Sequence, residues 1–353
     1  MCAGDVRAAQ RGSSLIEVLV GIVVALLVGL VAMGAAIGFA ATQRQALAIG
    51  SVSGNATTAL DTLRMPVLRA GLGFFGGSSF RCGTMNLARG SSVLWDGTGF
   101  SPLNTTRPAS GWSDTLELLS ASTVYGGGEL QLRSATTVAA TFSGHLPASV
   151  GQAVLLAPAA SGGTCTVRSI TGTTAATSTS FEQLAFAGSP TDGLYNQASF
   201  SSPVSYGDGD RISLLGSLSA YRYLVNNQKF QQVDRLTGST ATLARNVLAF
   251  RVQYGVAAAS GTRALDSWVE PTDGWATLGT GNIGRVLALR VQLLVRSAQP
   301  EKPDAKTGLC IATPSSSLSL MSGETYPLSE SDKCYRHRLV TSVIPLRNVA
   351  TGS

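Results

Sequence analysis

Residues 13–41 read SSLIEVLVGIVVALLVGLVAMGAAIGFAA, and between Arg11 and Arg44 only one charged side chain, Glu17, interrupts the apolar run. A helix needs about 20 apolar residues to cross a bilayer, and Val18 to Ala41 supplies them. Arg7 and Arg11 precede this stretch, so the positive-inside rule holds the N-terminus in the cytoplasm and sends the chain after Arg44 to the other side. The pattern then changes. Ile49, Val52, Ala56, Leu60, Leu63 and Val67 recur at spacings of three and four, with Gln43, Arg44, Asp61 and Arg64 off the stripe, which predicts a half-exposed helix. Gly50 and Gly54 weaken it, and Pro66 predicts a kink or an end.

From about Gly71 the period shortens to two, with Gly- and Ser-rich turns between short runs, as antiparallel strands require. Candidate strands are Asp114 to Leu119, the pair Tyr221 to Val225 and Lys229 to Val233 around an Asn226-Asn227 hairpin turn, and a run alternating at Leu248, Phe250, Val252 and Tyr254. Leu287, Leu289, Val291, Leu293 and Val295 form the clearest one-faced strand, and Tyr335 to Leu346 the last, with Pro345 confining its end to an edge or terminus. Residues 96–113 and 159–180 are read as surface loops or strand connections. The expected fold class is α+β: one long N-terminal helix, membrane-spanning in its first half, packed on a mostly antiparallel β-sheet head.

Glu17 separates this N-terminus from its simpler explanations. A secretory signal has an apolar core of about 7–15 residues, and neither a plain anchor nor a buried helix calls for a carboxylate, which costs on the order of 3 kcal/mol at the bilayer centre and less near its edge. If the chain were cut between Gly12 and Ser13, Glu17 would be the fifth residue of the new chain. A neighbouring copy's freed α-amino group could then pair with it inside a helix bundle.

Arg11-Gly12-Ser13-Ser14-Leu15-Ile16-Glu17-Val18-Leu19-Val20 resembles the prepilin processing motif of type IV pilins and type II secretion pseudopilins. The resemblance implies that a membrane aspartyl prepilin peptidase cuts after Gly12 and N-methylates Ser13, and that Glu17 docks against an adjacent subunit. The motif departs from the family at Ser13, where phenylalanine is usual, which bears on methylation more than on cutting. Further along, Ser113-Asp114-Thr115-Leu116, Tyr221-Arg222-Tyr223, Asn246-Val247 to Val252-Gln253-Tyr254-Gly255, Arg285 to Val291, and Tyr335-Arg336 to Leu346-Arg347-Asn348 resemble the PilW type of minor pilin, in family order. That likeness implies a non-enzymatic subunit that joins other minor pilins in a complex priming assembly of the major pilin, at or near the pilus tip. The implied partners are other minor pilins, the major pilin, the prepilin peptidase, the pilus assembly platform and the inner membrane. The implied localisation is a single-pass inner-membrane protein with a periplasmic head, and then the extracellular fibre. The organisation that follows is a leader at 1–12, a helix at 13–70 with its membrane segment at about 18–41, and a β-rich head at 71–353.

Charged residues make up only 13% of the chain, and the net charge of +6 comes from scattered arginines with no basic run. A mildly basic surface explains this, and nucleic acid is not an expected partner. Of five cysteines, Cys2 falls in the leader, leaving Cys82, Cys165, Cys310 and Cys334 to pair in an oxidising compartment. Four cysteines admit three connectivities. Cys310 with Cys334 would pin the long connection before the last strand and resembles the C-terminal disulfide loop of many pilins; Cys82 with Cys165 would complete the set.

No catalytic, cofactor or metal residues are assigned. Gly207-Asp208-Gly209-Asp210 offers carboxylates for calcium, but tight turns use the same residues and no glutamate completes an EF-hand. Gly126-Gly127-Gly128 lacks the lysine of a phosphate-binding loop. His145 and His337 are the only histidines, and there is neither a CxxC nor a GxSxG nucleophile turn. The nearest alternative is a type II secretion pseudopilin. A membrane-tethered periplasmic enzyme and a DNA-binding pilus subunit are further ones, the last requiring arginines gathered in one stripe and steeply salt-dependent affinity.

Overall fold

The computed structural model describes residues 15–76, 79–80, 82–122, 128–188, 192, 194–196, 200–304 and 306–350. One helix, Leu15–Arg69, opens the chain, and the chain divides into two compact units, Met1–Ser51 and Val52–Ser353. In the first, every described side chain from Leu15 to Ala36 is exposed. In the second, the same helix is amphipathic: Ala56, Ala59, Leu60, Leu63 and Val67 are buried, while Asp61 and Arg64 are exposed. The side chains of Ile49 and Val52, expected on that stripe, lie outside the described residues. Pro66 does not stop the helix at once; it ends three residues later, at Arg69.

The second unit is built from three main sheets. The largest has nine strands in the order Gly172–Thr174, Glu182–Ala185, Ala139–Phe142, Glu129–Ala135, Arg211–Gly216, Ala153–Ala157, Gly163–Ser169, Cys82–Arg89 and Ser92–Gly99. Its pairings are antiparallel except for Gly163–Ser169 against Cys82–Arg89. Both of its faces are covered. Along Ala153–Ala157 all five residues are buried. Ala153, Leu155 and Ala157 face the main core and Val154 and Leu156 a second cluster with Leu132, Phe142, Ile170, Leu184 and Ile212. A Cβ on Gly83 would stand 2.2 Å from the Gly162 carbonyl oxygen, so glycine is what lets the parallel pair close beside Cys82.

The segments expected as loops at 96–113 and 159–180 instead contribute strands: Leu103–Thr106, Gly163–Ser169, Gly172–Thr174 and the end of Ser92–Gly99. Their small polar composition hid this, yet Leu103, Cys165 and Val167 are fully buried, and threonine suits a half-buried pleated surface.

A five-stranded sheet runs Thr240–Arg245, Lys229–Asp234, Leu218–Asn226, Thr115–Ala121, Leu103–Thr106. Its expected hairpin is present, with the turn shifted by one residue. Asn226 pairs with Lys229, and Asn227 and Gln228 carry the positive φ values of 48° and 58° that a two-residue type I′ turn demands. A four-stranded sheet, Ser267–Val269, Val247–Val256, Val286–Arg296, His337–Pro345, completes the core. Phe250, Val252, Tyr254, Leu289, Val291, Leu293 and Ile344 are fully buried on one face. Bulges at 247/249 and 255/256 take Leu248 and Leu287 off that face; Leu248 packs instead with Ala249, Leu294 and Leu320. The last strand is an edge, one of the two placements that Pro345 allows its end.

Candidate functional site

Glu17 lies in the first turn of the helix and is exposed, where a carboxylate faces the positive pole of the helix dipole. Gly12 and Ser13, the expected cleavage pair with Ser13 as the methylated residue, lie outside the described residues. Behind Glu17, Leu15–Ala36 is long and apolar enough to cross a membrane, with a mean hydropathy of 2.9 and nothing buried. Leu15, Leu26, Leu30 and Val31 are each exposed. So much bare apolar surface demands an apolar surrounding, whether lipid or other helices.

Two disulfides stand in the second unit, Cys82–Cys165 and Cys310–Cys334. The first joins the parallel strand pair of the nine-stranded sheet and is completely buried. The second closes the connection before the last strand, and Leu309 and Ile311 beside it are exposed at 58% and 62%.

The same unit holds a polar system that periodicity alone did not reveal. Asp114, fully buried, accepts from the Arg107 Nε and Nη2 at 3.0 and 2.9 Å, from the Arg251 Nη1 at 2.9 Å and from the Val252 backbone N–H at 2.8 Å. Arg251, only 2% exposed, also reaches Glu324 and the Gly111 carbonyl oxygen and lies over the Trp112 ring. Arg107 continues to Glu270, Glu270 accepts from the Gln253 amide, and the Gln253 carbonyl oxygen accepts from Arg290, which stacks on Trp268. Three guanidinium groups therefore offset three carboxylates across one polar layer, which is how buried charge is tolerated. Burial pulls the Arg107 guanidinium down, but Asp114 and Glu270 outweigh it and hold its pKa above the ordinary arginine value. Ser113 also bridges to Phe250, so this layer rivets the five-stranded sheet to the four-stranded one.

The same layer receives the disulfide-closed segment. Its hairpin, Ser317–Ser319 with Thr325–Pro327, sets Leu320 and Tyr326 among Ala249, Leu294, Leu339 and Trp112. The Met321 N–H donates to Gln292, and the Met321 carbonyl oxygen accepts from Gln253. Arg336 pairs with Glu301, and Arg296 with Asp332 at 3.0 Å. The Thr313 hydroxyl donates to the Tyr335 carbonyl oxygen at 2.7 Å and is thereby committed, so the His337 Nδ1 3.1 Å away must carry its own proton and donate to it. Burial lowers the His337 pKa, helped by Arg296 and opposed by Asp332 and the Tyr335 backbone. Desolvation pushes Asp332 upward, but bonds from Ser329 and the charge of Arg296 win and lower it.

The other sequence candidates settle into structural duties. Asp210 accepts the backbone N–H groups of Ala159 and Gly207, both at 2.9 Å, and Asp208 pairs with Arg133, which is a turn's arrangement. His145 pairs with Glu182 at the nine-stranded sheet, far in the chain from His337. Gly126 and Gly127 lie outside the described residues. Among the described residues no group of three or more His, Cys, Asp or Glu is placed to hold a metal ion. The signals that could have exposed the buried layer were small ones: Arg251 and Gln253 interrupting an apolar strand, and Asp114 standing just before another.

Residues 221–348 match the family model of PilW, Type IV pilus-assembly protein W, which spans about a third of the chain. The match takes in the last hairpin of the five-stranded sheet, the whole four-stranded sheet and the disulfide-closed segment. No curated protein matches the chain. Among solved structures, the type IV-like pilin TTHA1219 from Thermus thermophilus aligns over 84% of this chain and 98% of its own, at 11% identity and a TM-score of 0.32.

Proposed function

We propose that the protein is a minor pilin subunit of a type IV pilus, non-enzymatic, that takes part in priming pilus assembly and sits at or near the tip. The PilW match over residues 221–348 carries this reading. The exposed apolar helix of Leu15–Ala36 and the carboxylate of Glu17 at its start supply the mechanism. The prepilin peptidase removes residues 1–12 and leaves Ser13 as a methylated terminus. The helix holds the subunit in the inner membrane with its head in the periplasm. On assembly the same apolar surface passes from lipid to the helical core of the fibre, one apolar solvent replacing another. Glu17 pairs with the terminal amine of an adjacent subunit, where removal from water strengthens the attraction and one helical turn fixes the axial offset.

The test is deletion of the gene and its return as wild type or as Glu17→Ala. Loss of surface pili on deletion, restored by wild type but not by Glu17→Ala, supports the reading. Normal piliation on deletion, or loss of a secreted protein in place of pili, overturns it, the second outcome favouring a type II secretion pseudopilin.

A further inference from the structure

Sheet edges invite pairing, and proteins usually blunt them by brevity, bulges or charge. Most edges here follow that practice. Gly172–Thr174 and Ser267–Val269 have three residues each, and Leu103–Thr106 has four. Ser92–Gly99 and Thr240–Arg245 are bulged against their neighbours. The last strand, His337–Pro345, is different: nine residues pair with Val286–Arg296 in unbroken register.

Its register identifies which groups remain unpaired. The Leu346 N–H bonds the Leu287 carbonyl oxygen, and the Ser297 N–H bonds that of Arg336, so even-numbered residues of this strand turn their backbone groups inward. Odd-numbered residues turn theirs outward. At one end the outward groups are already used: the Tyr335 carbonyl oxygen and the His337 N–H both bond the Thr313 hydroxyl. At the other end Pro345 has no N–H and the chain leaves the sheet into the turn of helix Arg347–Ala350. Among the described residues, the N–H groups of Leu339, Thr341 and Val343 therefore remain without a partner. These three are arranged symmetrically about Thr341, and the positions flanking them, His337 and Pro345, lack a free donor alike.

We propose that this edge is an interface for a second copy of the chain, paired antiparallel about a two-fold axis at Thr341. Leu339 then faces the partner's Val343, and Thr341 faces the partner's Thr341, so each free N–H meets a free carbonyl oxygen. Apolar faces apolar and hydroxyl faces hydroxyl, both favourable cross-strand pairs. The one charge on the strand, Arg338, falls opposite the partner's Ile344. The two Arg338 side chains stand six residues apart along the paired strands, about 20 Å at 3.4 Å per residue, beyond the Debye length. Val343, 55% exposed, is covered in the pair. The result is one continuous sheet of doubled strand number. This pairing does not depend on the pilus reading.

The register is directly readable by thiol cross-linking of the full-length protein in cell membranes with a short bifunctional reagent. Thr341→Cys alone should give a cross-linked homodimer. Leu339→Cys and Val343→Cys should each give little alone and a homodimer when the two variants are co-expressed, because position 339 opposes 343 and not itself. Adding Val343→Lys, an exposed change that leaves the inward ladder intact, should abolish the Thr341→Cys product. The proposal is overturned if Thr341→Cys remains monomeric, if it cross-links to a different protein in place of itself, or if Leu339→Cys alone cross-links as well as the co-expressed pair.

Discussion

The nine-stranded sheet and the four-stranded sheet belong to one core but are secured by different physics. The first is covered by apolar side chains on both faces and stapled by a cystine with no exposure at all. The second is apolar on its inner face, while its outer face carries Arg251, Gln253, Arg290 and Gln292 beneath a segment held by ion pairs, one histidine and a half-buried cystine. Apolar burial is insensitive to pH and non-directional. A polar layer is costly unless every group is matched, but it fixes one arrangement and responds to its surroundings. The region that matches the PilW model is the second kind.

That contrast can be broken at its strongest point first. Replacing Cys82 and Cys165 together by alanine removes a crosslink spanning 83 residues, worth about 4.5 kcal/mol by chain entropy. It should lower the denaturation midpoint of the whole head in a calorimetric scan. Asp114→Ala removes the carboxylate that two buried guanidinium groups share, leaving Arg107 only Glu270 and Arg251 only Glu324, and should cost about 3–5 kcal/mol, with the five- and four-stranded sheets losing amide protection together. A much smaller loss would show that the layer is not a rivet. Replacing Cys310 and Cys334 opens a 24-residue separation, worth about 3.5 kcal/mol in the same terms. Its effect should be local: faster exchange at residues 301–336 with the nine-stranded sheet unchanged.

The smallest effect is that of pH. His337 has a lowered pKa in the fold, so the unfolded state binds the proton more tightly. Stability from this group is complete above the ordinary value of 6.5 and is lost as pH falls from there through the folded pKa. The lowered pKa of Asp332 keeps its own contribution in place until pH falls below 3.8. Amides of residues 313 and 337 should therefore lose protection on mild acidification, and His337→Gln should flatten that dependence. An unchanged profile in the wild type would remove the histidine from the account.

What the sequence revealed followed the strength of each periodic signal. The amphipathic stripe at Ala56, Leu60, Leu63 and Val67 and the run from Leu289 to Val295 were legible because many positions agree. The missing N–H of Pro345 confined the end of the last strand to an edge or a terminus, and the strand is an edge. The strand bearing Cys165 was not legible, because serine, threonine and glycine serve loops and strands alike. The Asn227–Gln228 turn was displaced by one residue because glutamine accepts a positive φ only under the constraint of both strands. The layer around Asp114 joins residues as far apart in sequence as 107, 251 and 324, and no local pattern brings those together.

A pilus subunit of the proposed kind is cut before it is docked. Mass spectrometry of the mature N-terminus, with and without the prepilin peptidase, tests it most directly. In competent cells the chain should begin at Ser13, carrying the added methyl group, and in peptidase-deficient cells it should retain residues 1–12. A chain that still begins at Met1 when the peptidase is present would contradict the account.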